Sequence, residues 1–98
     1  EKALEEPLVS SINKIRNAIK ESLQININEF NITEVQNRKL AAKTAAGWEI
    51  YFNPAGDIDW QLTKLDQVLE KEIPPEKRGN LEYIDLRFGN FAPYKYQD

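Results

Sequence analysis

Apolar positions recur along this chain with two different periods, and the switches between them mark out its elements. Leu8, Ile12, Ile15, Ile19 and Leu23 follow one another at steps of four, three, four and four, which places them on one stripe of a helix. Pro7 opens that helix, because the first helical turn has no intrahelical partner for the N–H that proline lacks. Asn13, Lys14, Asn17, Lys20 and Glu21 form its solvated side. Gln24 to Thr33 then reads as a strand, with Ile25 and Ile27 on one parity and Phe30 and Ile32 on the other. A bulge or bend near Asn28 and Glu29 would return both pairs to one face. Asn31-Ile32-Thr33 matches a glycosylation sequon, but a strand is a poor place for a modified asparagine, and we read the match as coincidence.

Gln36-Asn37-Arg38 reads as a turn into a hairpin. Leu40, Ala42 and Thr44 alternate with Lys39, Ala41 and Lys43, and the small residues suit close approach by a helix. Ala46-Gly47 supplies the reversal, since glycine tolerates positive φ. Trp48, Ile50 and Phe52 are then the inward set of the next strand, with Glu49 and Tyr51 outward. A tryptophan in phase with two core residues is read as core rather than as a ligand platform. Asn53 to Asp57 is a loop by composition. Asp57 and Asp59 have the spacing of a metal-binding pair, but the later ligands of a calcium loop are missing, and Asp59 is read as a helix N-cap. Trp60, Leu62, Leu65, Val68, Leu69 and Ile73 trace a second helix that Pro74-Pro75 ends, and Glu76 to Asn80 is a charged connector.

The strongest strand signal is Leu81 to Phe88. Ile84, Leu86 and Phe88 share one parity, and Tyr83, Asp85 and Arg87 share the other. The pattern predicts one buried face, with Asp85 and Arg87 as a solvated pair. Phe91 to Tyr96 closes the chain as a last strand. The order is α-β-β-β-α-β-β, which implies an α+β domain with one mostly antiparallel sheet and both helices on its apolar face.

Composition narrows the chemistry. At 98 residues the chain makes one domain, with residues 1–6 as a charged linker remnant, and a core too small for a deep cavity. The net charge of −3, spread over interleaved acids and bases, excludes the basic face that nucleic acid requires. There is no Cys and no His, so disulfides, thiolate metal sites and the commonest general base are all absent. No set of carboxylates, Lys or Tyr converges by spacing, and the expectation is no enzyme, no metal and no cofactor. No apolar run approaches the ~18 residues of a membrane span.

The stretch Tyr83-Ile84-Asp85-Leu86-Arg87-Phe88-Gly89-Asn90 and its aromatic tail resemble the end of the extracytoplasmic β domain of the FtsQ/DivIB bacterial cell-division proteins. Further landmarks are the Ala46-Gly47 turn and the Gln61-Leu62 and Lys64-Leu65 steps opening the second helix. The resemblance covers most of the chain. It implies a fragment of a single-span protein whose cytoplasmic tail, membrane span and POTRA domain precede this part, placed outside the cytoplasmic membrane. It also implies a non-enzymatic docking platform of the divisome during septation. The last strand would receive an extended segment of a coiled-coil partner, FtsB or DivIC in complex with FtsL. Carried over position by position, Arg87 matches the motif's arginine, Phe88 an aromatic, Asn90 a small polar residue and Tyr96 a terminal aromatic, with Phe91 and Tyr94 completing the partner-binding set. Two departures stay open. Phe88 has the parity of the core, and Pro93 would blunt the edge or shorten the docking ladder. An unrelated interaction module using the same sheet edge is the alternative.

Overall fold

The structure, a computed structural model, describes residues 10, 12–34, 39–54 and 56–97. Pro7, Leu8 and the turn at 36–38 lie outside them. Helix α1 (residues 12–18) runs into a π-helical turn, Ile19–Leu23, and stops at Gln24, whose left-handed backbone (φ 57°) turns its N–H back to the Lys20 carbonyl at 3.1 Å. Within the described residues the expected stripe is the observed one: Ile15 and Ile19 are fully buried, and Ile12 and Leu23 pack partly against the core.

Strand β1 (Ile27–Glu34) pairs antiparallel with β2 (Lys39–Thr44). Its register shifts between Ile27 and Glu29, which leaves Asn28 as the extra residue of a bulge and brings Ile25, Ile27 and Phe30 onto the core. A second shift, between Ile32 and Glu34, has no counterpart in the sequence pattern. β2 turns into β3 (Glu49–Phe52) through Gly47 at φ 107°, and both the N–H and the hydroxyl of Thr44 donate to the Trp48 carbonyl. Trp48, Ile50 and Phe52 are all buried, as their parity requires.

Helix α2 (Ile58–Lys71) crosses from β3 to β4 (Leu81–Asp85), so these two strands run parallel, with Ile50 beside Ile84. A 3-10 helix, Pro75–Asn80, leads into β4, and β5 (Tyr94–Tyr96) returns antiparallel to it. The sheet is therefore mixed, in the order β1-β2-β3-β4-β5. Ile15 and Ile19 of α1 share one core with Leu65, Val68 and Leu69 of α2 and with Leu40, Ala42, Ile50, Phe52, Leu81 and Ile84 of the sheet, so both helices cover the same face. The other face carries a Tyr51–Tyr83 stack at 5.2 Å, with the Lys39 ammonium 3.9 Å above Tyr51.

Three expectations change. The N-cap of α2 is Asp57, whose carboxylate accepts from the Trp60 N–H at 3.0 Å; Asp59 sits two residues on, in the first turn, and pairs with Lys14. Trp60 is off the buried stripe, which runs through Ile58, Gln61, Lys64, Leu65, Val68 and Leu69. The strand of the 81–88 stretch stops at Asp85, and a register shift at Glu82 puts Leu81 in the core with Ile84. Asp85 is consequently buried rather than solvated, and Phe88 is half exposed rather than packed inward.

Candidate functional site

The end of the chain forms an edge and a loop. Among the described residues β5 has a strand neighbour on one side only. In an antiparallel pair alternate residues turn both backbone groups to the same neighbour. Pro93 accepts from Asp85 N–H at 2.7 Å and Gln97 donates to the Asn80 carbonyl at 2.7 Å, so residues 93, 95 and 97 face β4. The N–H and C=O groups of Tyr94 and Tyr96 therefore point away from the sheet. Pro93 is also explained: its missing N–H falls on the β4 side, so it shortens the β4–β5 ladder and leaves the outer edge intact.

The side chains of Tyr94 and Tyr96 meet edge to face at 5.7 Å and lean against the core, beside Ile84 and Leu81. The Tyr94 hydroxyl donates to Glu72 Oε1 at 3.1 Å, and this bond, then burial, raises its pKa. These two tyrosines are thus structural on their side-chain side and open on their backbone side.

The loop from Leu86 to Pro93 is held by side chains from α2. Lys64, one of the buried residues of the helix, extends its ammonium to the carbonyls of Leu86 (3.0 Å), Gly89 (3.0 Å), Phe91 (3.1 Å) and Phe88. Burial lowers its pKa, and the Asp85 charge opposes that shift. One turn earlier, Trp60 donates its indole N–H to the Gly89 carbonyl at 2.8 Å. At the start of the loop Arg87 clasps Asp85 with two side-chain bonds, at 2.9 and 3.0 Å, while its backbone N–H donates to the same carboxylate.

The six residues expected to meet a partner therefore divide. Phe88, Asn90 and Phe91 stand exposed on one loop, with Phe91 72% accessible. Arg87 is half buried and committed to Asp85, and it also lies 5.8 Å from the Phe88 ring. Tyr94 and Tyr96 offer backbone more than side chain. Lys64 and Trp60, which shape the loop, entered the sequence pattern only as residues of the second helix and were assigned no role at the site. The signal for Lys64 was present, since it lies in helical phase with Gln61 and Val68 on the stripe that faces the core. Phe88, Phe91 and Trp60 are the large apolar side chains that the described residues leave exposed.

The cleft between α2 and the loop, bordered by Lys64, Val68, Glu72 and Asn90, has a volume of about 160 Å³, smaller than the ~300 Å³ at which small-molecule sites begin. Among the described residues no group of three His, Cys, Asp or Glu side chains is placed to hold a metal ion, and no helix is long and apolar enough to cross a membrane. Comparison with protein-family models and with curated proteins finds no match for this chain.

Proposed function

We propose that this is a non-enzymatic docking domain of the FtsQ/DivIB type, which receives an extended segment of FtsB or DivIC, in complex with FtsL, by strand addition to β5. The observation that carries the reading is the outward backbone of Tyr94 and Tyr96, which presents unpaired donors and acceptors beside the exposed rings of Phe88 and Phe91. Main-chain bonds supply affinity in this mode, and flanking side chains supply specificity. The Ile84-Asp85-Leu86-Arg87 tetrapeptide, at the end of the strand that follows the crossover helix and before the edge strand, supports the family and with it an extracytoplasmic location. No metal or cofactor enters this mechanism.

A titration with the extracytoplasmic segment of an FtsB/DivIC-type protein, alone and with FtsL, tests it. Tyr96→Pro removes an outward N–H, whereas Tyr96→Ala removes the side chain and keeps that donor. Saturable binding that Tyr96→Pro weakens more than Tyr96→Ala, at matched folding by circular dichroism, is the expected result. Equal binding by the two variants would reject strand addition. No binding of either partner form to the wild type at high micromolar concentration would reject the division-protein reading and leave a sheet-edge module for another partner.

A further inference from the structure

Lys64 occupies a position that helical periodicity reserves for an apolar residue. It is 5% exposed, three residues after Gln61 and four before Val68 on the buried stripe of α2. Taking an ammonium out of water is unfavourable unless other dipoles replace its hydration. Here those dipoles are backbone carbonyls, since the side-chain oxygens of Asp85 are engaged by Arg87. Four carbonyls, from Leu86, Phe88, Gly89 and Phe91, converge on three N–H donors. All four belong to one stretch of six residues outside every helix and strand, tied to the sheet at its start by the Leu86 N–H, which donates to the Tyr51 carbonyl at 2.8 Å. The carbonyls of Phe88 and Phe91 turn in to Lys64 while both of their rings stand exposed; Leu86, the first of the four, keeps its side chain in the core. Trp60, one turn before Lys64, adds its indole N–H to the Gly89 carbonyl from the same side of the helix.

We infer that Lys64 is a positioning residue for docking: its ammonium is the ion around which the 86–91 loop is wound, and it presents Phe88 and Phe91 as paired anchors for apolar side chains of the segment added at β5. The docking role in this statement rests on the function proposed above; the winding of the loop does not.

Lys64→Met keeps the aliphatic volume and removes the charge, and Lys64→Ala leaves a gap that n-propylammonium matches atom for atom. Two readouts separate the claims: the Trp60 indole N–H resonance with loop amide exchange, which needs no partner, and the titration with the FtsB/DivIC-type segment. Lys64→Met is expected to stay folded, to lose the hydrogen-bonded indole signal, and to bind at least ~10-fold more weakly. Millimolar n-propylammonium should restore both the indole signal and binding in Lys64→Ala, while n-propanol, the neutral analogue, restores neither. Should Lys64→Ala fail to fold, Lys64→Met carries the comparison with Lys64→Arg, which keeps a charge and should retain most of the loop signal. An unchanged indole signal and loop exchange in Lys64→Met, or equal rescue by n-propanol, would overturn the inference. A wild type that does not bind, together with loop order that follows the charge at 64, would remove the docking role and keep Lys64 as the organiser of the loop.

Discussion

The ion pairs Asp85–Arg87 and Lys14–Asp59 close at 2.9 and 3.0 Å, and surroundings rather than length decide what each contributes. The side chains of Asp85 and Arg87 are 8% and 23% accessible, and those of Lys14 and Asp59 51% and 76%. Arg87→Ala would leave a buried carboxylate without its bidentate partner, so we expect it to destabilise the fold by about 2–3 kcal/mol, somewhat less than a fully buried pair because Arg87 retains some solvent. Lys14→Ala should change stability by no more than about 0.5 kcal/mol. Urea midpoints of the two variants check the contrast. It also bears on docking, because a charge reversal at Arg87 would report on folding before it reported on a partner. Tyr51 offers a second residue-scale test. Its phenol is pushed up to about 12, first by burial, then by the charge and hydrogen bond of Glu49. Between its ordinary value of 10 and 12 the unfolded chain releases a proton that the folded protein keeps. The stability this provides is complete below pH 10 and is lost as pH rises toward 12. Tyr51→Phe should flatten the fall of stability across that window, as followed by denaturation at stepped pH.

Element by element, what local periodicity controls was legible and what distant contacts control was not. The stripe of α1, the parity of Trp48, Ile50 and Phe52, and the bulge at Asn28 each follow from neighbours within a few residues of one another. The cap of α2 could not be assigned by residue type, since Asp57 and Asp59 are both good caps; the extended backbone of Asp57 (φ −78°, ψ 100°) decides it. The end of β4 escaped notice because Asp85 and Arg87 alternate as a solvated strand face would, yet Asp85 is buried at the last position of the strand and Arg87 reaches back to it from the loop. Lys64 and Trp60 act on residues 22 to 29 positions away, beyond the reach of any periodic pattern. The β2–β3 turn is local, and it supports a local prediction. Gly47 has φ 107°, and a Cβ there would meet nothing within 4 Å, so the strain of a substitution would come from the backbone alone. Gly47→Ala should therefore lower stability by about 1 kcal/mol or more. At Gly79, in the 3-10 helix, φ lies outside the left-handed region and a Cβ also has open space. Gly79→Ala should raise stability by about 0.4–1 kcal/mol through the unfolded chain. Opposite shifts in melting temperature are the measurement.

At the scale of the whole molecule, the sheet ends in two strands of different character. β1 has 8 residues and two register shifts, which twist its outer side and make regular pairing with a further strand difficult. β5 has 3 residues, and the one irregularity of its ladder lies on β4, at Glu82, so its own outer backbone stays regular. Length alone would favour β1 as the docking edge, but regularity favours β5. Deleting residues 91–98 cannot separate docking from folding, because it would take Tyr94 from Ile84 and Tyr96 from Leu81, both fully buried. Amide exchange can. In the free domain the N–H of Gln97 is bonded to Asn80 and that of Lys95 turns toward β4, so both should exchange slowly. Those of Tyr94 and Tyr96 should exchange fast, as outward groups of an edge. Saturation with the partner segment should slow Tyr94 and Tyr96 by at least ~10-fold and leave β1 unchanged. Protection that appears along Ile27–Glu34 instead would move the docking site to the opposite edge, and protection confined to residues 88–91 would reduce the contact to side chains of the loop, without an added strand.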